Sequence, residues 1–298
     1  MARVAADIML PARGRFDLVA TVDAGLRPLA SPWVWRGGRR PVLRRAERLY
    51  GRRVSLLEVR PAPGGVVLRA IGPGTTEIEQ LAPLAARVRR ALQLDVDLGP
   101  FHRRCRADPA LRWIARAGLG RVIRGTTPFE DWLSALLGDD GLAALLGVGA
   151  RCAEAAALRA CPSARELAAV GARGLRARTG LDARAGAVVH LARAVARGTA
   201  DLRTIDERAP LVSRATLLRM LRRVPGACAH TTAVLAPLLG HHERIVGDRR
   251  MLRDAARILL PGASPTWPAI RRRLRGVAPW AGLAFSLCAA RGARSGRG

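Results

Sequence analysis

From about residue 120 onward the chain is a succession of helix starts and stops, and this punctuation limits the fold more than any other feature. Thr127-Pro128-Phe129-Glu130 sets a capping box and a first-turn proline ahead of FEDWLSALL. Ser163 and Glu166 repeat the device. Asp182 is placed to cap LDARAGAVVHLARAVARG, which ends on Gly198. Ser213 opens ATLLRMLRRV, and further helices are expected from about Asp248 to Leu259, Trp267 to Arg275 and Trp280 to Arg291. Short helices joined by glycine and proline turns, with no repeat period, specify a compact helical domain rather than a solenoid.

The first third reads differently. Arg53 to Arg60 and Gly65 to Ile71 are β-leaning runs joined by PAPG, the pattern of an antiparallel hairpin. Thr76 and Glu79 form a capping box for a helix running to about Leu92, and Asp108-Pro109 reads as an N-cap with proline at the first helical position. The expected class is therefore α+β: a small mixed domain over residues 1–115, then an all-helical domain over 116–298, packed together because no long linker separates them.

Charge limits the partners. All 51 basic residues are arginine, with no lysine, against 23 acids, for a net charge of +28. A GC-rich genome explains arginine in place of lysine but leaves the excess charge unexplained, and a polyanion, nucleic acid first, is its natural partner. No apolar run reaches the ~18 residues of a spanning helix. MARVAADIMLPARGRFD is too polar for a signal peptide, so a cytoplasmic protein without a membrane partner is expected. Five scattered cysteines form no C-x-x-C pair, which argues against a zinc ribbon or a disulfide framework and makes buried free thiols the default.

The chemistry concentrates in VPGACAHTTAVLAPLLGHHERIVGD, Val224 to Asp248. Pro225-Gly226 makes a tight turn between two helical segments. The helix that follows presents free N–H groups and the positive end of its dipole, a geometry that suits a phosphate. A simple corner between helices would carry the same letters, so the turn alone decides nothing.

The whole segment resembles the helix-hairpin-helix DNA glycosylase superfamily, the alkylbase and 8-oxoguanine glycosylases in particular. Val224 to Thr232 fall on the family's hairpin, and LLGHHERIVGDRRMLR falls on its loop and acid without a gap. GLGRVIRGTTPFEDWLSALL is similar to the family's opening segment, GVAPWAGLAFSL to its closing helix, and the N-terminal part to its small β-containing domain. The resemblance implies that Asp248 is the catalytic carboxylate. It implies that Pro225, Gly226, Cys228, His230, Thr231, Arg249 and Arg250 hold DNA, and that a flipped base meets an aromatic wall. Trp132 and Trp113 are candidates for that wall, with Trp33 or Trp35 behind them; a core tryptophan is the plainer reading of each.

This sequence departs from the family at several points. Cys228 replaces the second hairpin glycine, where a side chain intrudes and a positive φ would strain it. Gly247 stands where the family has an apolar residue before the acid, and Asp139-Asp140 where it has residues that enter the duplex. His230 occupies the position of the lysine that forms a Schiff base in strand-cleaving members, so lyase chemistry is not expected. The family's iron–sulfur cluster needs four cysteines after the acid and only Cys288 lies there, so neither metal nor cofactor is expected. The implied function is a monomeric, monofunctional glycosylase that hydrolyses the glycosidic bond of a damaged base in double-stranded DNA. Alkylated purines are the first choice, because a cationic leaving group needs little acid help and no lysine, with 8-oxoguanine left open as the alternative. The rivals are a catalytically idle DNA-binding protein on the same fold and, on charge alone, an RNA- or chromatin-associated protein. His241-His242 reads as a solvated loop, and Arg271 to Arg275 as electrostatic footprint.

Overall fold

The computed structural model describes residues 5–24, 32–48, 54–72 and 78–295. It opens with β1 (Ala5–Pro11), α1 (Leu18–Asp23), β2 (Val34–Arg36), β3 (Val42–Arg48), β4 (Val54–Ala62) and β5 (Gly65–Ile71), followed by α2 (Ile78–Ala91), α3 (Gly99–Ala107) and α4 (Arg112–Arg116). The strands form an antiparallel sheet in the order β1-β5-β4-β3-β2. The expected hairpin is β4–β5, with Val59 opposite Leu68 and Leu57 opposite Ala70. Those side chains share one face and pack with Leu18 of α1 and with Leu84 and Val88 of α2, as the two-residue period of a strand requires. Thr76 and the Glu79 side chain, the expected capping box, lie outside the described residues.

Asp108 does not cap a helix as expected. It closes α3, and its carboxylate accepts from Ala110 N at 3.0 Å and from Arg273 at 2.6 Å, while α4 starts four residues later behind its cap, Leu111. The ion pair holds the carboxylate away from the α4 amides, and Arg273 draws the Asp108 pKa below its usual range.

The second part contains α5 (Pro128–Leu146), β6 (Arg151–Cys152), β7 (Ala155–Arg159), α6 (Ala164–Thr179), α7 (Asp182–Ala196), α8 (Leu202–Arg208), α9 (Arg214–Arg222), α10 (Ala229–Leu238), α11 (Arg249–Leu259), α12 (Trp267–Arg273) and α13 (Ala281–Ser295). The all-helical expectation is corrected by β6 and β7, a short antiparallel pair. Cys152 and Ala160 beside this pair pack on Ala46, Val54 and Leu56 of the sheet's other face, so the hairpin clasps the two parts of the molecule.

Three of the expected helix boundaries are as read. Ser163 and Glu166 form the full capping box, Ser213 caps α9, and Gly198 ends the α7 segment with φ +75°. Two differ from expectation. Asp182 is the first residue of α7 rather than its cap, which is Leu181, so it acts on the helix dipole from the first turn. At α5, Thr127 accepts from Glu130 N at 3.3 Å, but the Glu130 carboxylate turns to Thr126 N at 2.6 Å and to Arg45 at 2.8 Å.

That Arg45 contact is the centre of a buried network. Arg45, on β3, lies between Glu47 at 2.6 Å and Glu130 at 2.8 Å, and Arg87 of α2 completes the set through Glu47. A second network joins Arg90 of α2 and Arg124 to Asp131 of α5 and Asp206 of α8. Two arginines face two carboxylates in each, so the charges balance and their mutual attraction offsets part of the cost of burying them, although Arg45 Nε has no partner among the described residues. Both run from the sheet side of the molecule into α5, the helix that supports the site described next.

Candidate functional site

The site is built on two successive corners. At the first, α9 ends in Arg223 and Val224, and the chain turns through Pro225 and Gly226 into α10. The positive φ of this turn, +84°, falls on Gly226, and an added Cβ there would meet Leu136 of α5 at 3.2 Å. Cys228 is extended, with φ −140° and ψ 178°, so the expected strain is absent. It is instead the N-cap of α10. Cys228 N donates to Thr231 Oγ1 at 2.8 Å, and the Cys228 sulfur accepts from Thr231 N at 3.5 Å. This is a capping box with a thiol in place of a hydroxyl.

The arrangement sorts the hairpin residues assigned to DNA. Thr231 is buried and its hydroxyl is consumed by the cap. Cys228 and His230 are exposed, while Pro225 and Gly226 are half-buried. Ala227 N donates to Val224 O, whereas the amides of Gly226 and Ala229 have no acceptor within the described residues. Those two N–H groups, beside the positive end of α10, are what the turn offers a phosphate. Thr231 N–H, its hydroxyl and His230 N–H all favour the thiolate, which draws the Cys228 pKa below the ordinary thiol value. Cys228 thus departs from the buried-thiol default: it is exposed, while Cys105, Cys152 and Cys288 are buried.

At the second corner α10 ends at Leu238, and the chain passes through residues 240–247 to α11. Asp248 is the N-cap of α11, its Oδ1 accepting from Met251 N at 2.8 Å. The cap fixes one oxygen and leaves the carboxylate exposed. Gly247 is explained by packing: a Cβ there would lie 2.9 Å from the Phe285 ring of α13, which fills the space an apolar side chain would take. Arg249 and Arg250 follow on the exposed first turn, and Arg250 stands 3.9 Å from Asp254.

Between the corners lies a cavity of about 280 Å³. His230, Val234 and Leu238 of α10, His242, Arg244 and Val246 of the loop, and Gly282, Leu283 and Ser286 of α13 line it. The fold therefore brings His230 to the wall, while Asp248 is not among the lining residues and follows Val246 by two positions. The tryptophans lie elsewhere. Trp132, 2% exposed, is in the helical core; Trp113 packs under Arg291, 4.4 Å from guanidinium carbon to ring centroid; and Trp33 lies beneath Arg45 at 4.9 Å. None of the three lines this cavity. Apart from His230, the residues that do were missed in sequence, His242 most plainly. The loop read as solvated is packed: His241 is buried, its ring bonded to Ala209 O at 2.9 Å, and His242 faces the cavity. No single-sequence pattern marks this, because it is α13, some forty residues later, that covers the loop.

Asp139 and Asp140 are exposed just after Gly138, where α5 kinks at φ +67°, two residues past the Leu136 that supports the hairpin. Among the described residues no group of three or more His, Cys, Asp or Glu is placed to hold a metal ion. None of the described helices is long and apolar enough to cross a membrane.

Comparison with solved structures gives the fold its place. The chain superimposes on a 3-methyladenine DNA glycosylase from Archaeoglobus fulgidus with a TM-score of 0.68, 18% identity, and coverage of 95% of this chain and 97% of that one. The fold is that of a DNA glycosylase. An 8-oxoguanine glycosylase/lyase from Clostridium acetobutylicum matches with a TM-score of 0.65, 15% identity, and 96% of each chain covered. MBOgg1, solved with a low-affinity DNA ligand, matches with a TM-score of 0.67 and 15% identity over 99% of this chain and 100% of that one. No family model matches the sequence, and no curated protein matches it by sequence either. The similarity is carried by architecture, end to end, including the mixed N-terminal part.

Proposed function

We propose that the protein is a monofunctional DNA glycosylase that hydrolyses the N-glycosidic bond of a damaged base flipped out of duplex DNA. The observation that carries this reading is the pair of successive corners, one leaving the Gly226 and Ala229 amides free among the described residues and the other leaving the Asp248 carboxylate exposed, with His230 lining a cavity formed by the chain that joins them. In this reading residues 116–298 carry the chemistry and residues 1–115 brace them. The Gly226 and Ala229 amides, with Arg249 and Arg250, hold backbone phosphates and position the duplex without reading its sequence. Flipping the base costs roughly a few kcal/mol, least for a damaged pair. As the C1′–N bond lengthens, positive charge grows on the sugar, and Asp248 stabilises it while orienting water for attack at C1′. Without a lysine no side-chain amine forms a Schiff base, so the product is an intact strand with an abasic site. Alkylated purines are the first substrates to try, on the leaving-group chemistry given above.

The idle-protein reading keeps one observation in its favour, the exposed Asp139-Asp140 pair near the hairpin, where carboxylates repel phosphate. Lesion-bearing duplexes incubated with the protein and then treated with hot alkali separate the two. Alkali-dependent strand breaks that vanish in Asp248→Asn, with no adduct trapped by borohydride, are expected. Tight binding without breaks favours the idle protein, and breaks undiminished in the variant contradict the mechanism.

A further inference from the structure

We infer that the cavity selects an uncharged modified base, with Arg244 stabilising negative charge on the departing base and His242 reading its edge by a hydrogen bond. This rests on the glycosylase reading proposed above and replaces its preference for cationic alkylpurines by one for uncharged bases.

Three features of the lining carry the inference. First, the walls are aliphatic, from Val122, Val234, Leu238, Val246 and Leu283, and include no carboxylate and no phenylalanine, tyrosine or tryptophan. A cationic base is held by a carboxylate or by the face of a phenyl, phenol or indole ring, and the described residues lining this cavity include neither, Asp248 not being one of them. Second, Arg244 lines the cavity and makes no ion pair or hydrogen bond within the described residues. Its neighbour Glu243 is directed to Arg214, at 3.8 Å, and to His241, at 3.3 Å. An unpaired guanidinium repels a cationic base on arrival and attracts an anionic one on departure. Third, His242 is held by its main chain, whose carbonyl accepts from Gly282 N at 2.8 Å, while its ring nitrogens have no hydrogen-bond partner among the described residues. Burial pushes the imidazole down to about 4, so the ring is neutral and presents one donor and one acceptor. Ser286 donates its hydroxyl to Gly282 O at 3.0 Å and turns only lone pairs to the cavity.

The step balances without a further reagent. The C1′–N bond breaks with its electron pair passing to the base nitrogen. The base leaves as an anion beside Arg244 and takes a proton from water. The oxygen of a second water bonds to C1′ and sheds its proton to solvent. Uncharged alkyl adducts such as ethenoadenine, and deaminated bases such as hypoxanthine, fit this scheme; cationic N7-methylguanine does not.

The test is single-turnover release from duplexes carrying ethenoadenine, hypoxanthine or N7-methylguanine, combined with free hypoxanthine titrated against protein labelled with ¹⁵N-histidine. Arg244→Gln is expected to slow both uncharged bases by about 10²–10³-fold, the loss typical of one charge-stabilising donor, and to leave N7-methylguanine within about threefold of wild type. His242→Ala is expected to change the ethenoadenine-to-hypoxanthine ratio at least tenfold, with His242→Gln restoring it, and free hypoxanthine to shift the His242 ring resonances. Faster release of N7-methylguanine than of either uncharged base by the wild type, or an equal slowing of all three by Arg244→Gln, overturns the inference while leaving the glycosylase reading intact. Ring shifts without release from any duplex keep the base site and refute the enzyme. Neither shifts nor release refutes both.

Discussion

At the scale of single residues, the two departures within the hairpin-to-acid segment, Gly247 and Cys228, both have physical explanations. Gly247 is small because Phe285 occupies the place of a side chain. Gly247→Val is therefore expected to destabilise the protein by about 1–3 kcal/mol, the usual cost of overpacking, measured by denaturant unfolding. Cys228 is extended rather than strained, and it caps a helix through its sulfur. Its thiol pKa is drawn below the ordinary value, chiefly by Thr231 N–H, so a thiolate forms beside the Gly226 and Ala229 amides, proposed above to hold phosphate, as pH rises. Affinity for undamaged duplex is expected to fall on going from neutral to alkaline pH, and Cys228→Ser to flatten the profile; identical profiles would refute the coupling. The identity of Cys228 was plain in the sequence, but its backbone angles were not. They follow from Gly226 taking the positive φ two residues earlier, a division of labour within the turn that single letters do not encode.

At the scale of elements, the helices of the second half were largely legible because their ends carry chemistry. Ser163, Ser213 and Gly198 each mark a boundary that capping or a left-handed exit dictates. Asp108 misled because a cap-like Asp-Pro pair is overridden by a partner 165 residues away, Arg273. The β6–β7 clasp was invisible because its residues acquire strand character only by docking on the sheet. The hairpin itself rests on α5 through the contact of Gly226 with Leu136. Gly226→Ala is expected to cost about 1–2 kcal/mol for the left-handed backbone alone, plus the clash with Leu136, and to weaken duplex binding in parallel. Unchanged stability and unchanged binding would show that the turn is not held as described.

At the scale of the whole molecule, α5 transmits the sheet's position to the site. It is anchored at its start by Arg45–Glu130 and carries Leu136 under the hairpin two turns later. Burial pushes the Glu130 carboxyl up, but Arg45 more than offsets this and leaves its pKa below the ordinary value. The stability this carboxyl contributes is thus present above the unfolded-state pKa and is lost as pH falls through the lower folded one. Glu130→Gln is expected to cost about 3–5 kcal/mol near neutrality, because it leaves Arg45 with one buried partner, and the deficit to shrink in acid. A deficit independent of pH would refute the ion-pair account. The α+β class and the order of the chain were readable from spacing and turn chemistry. The cavity was not, since residues from α10, the 242–246 loop and α13 meet only in three dimensions. The central claim is that Asp248 acts on a base held there, and the direct measurement is the single-turnover rate of base release by Asp248→Asn alongside its affinity for a duplex with an abasic analogue. Asparagine caps a helix as well as aspartate does, so the fold and the affinity are expected to persist while release falls by about 10²–10³-fold. Release at the wild-type rate with intact binding would contradict the account.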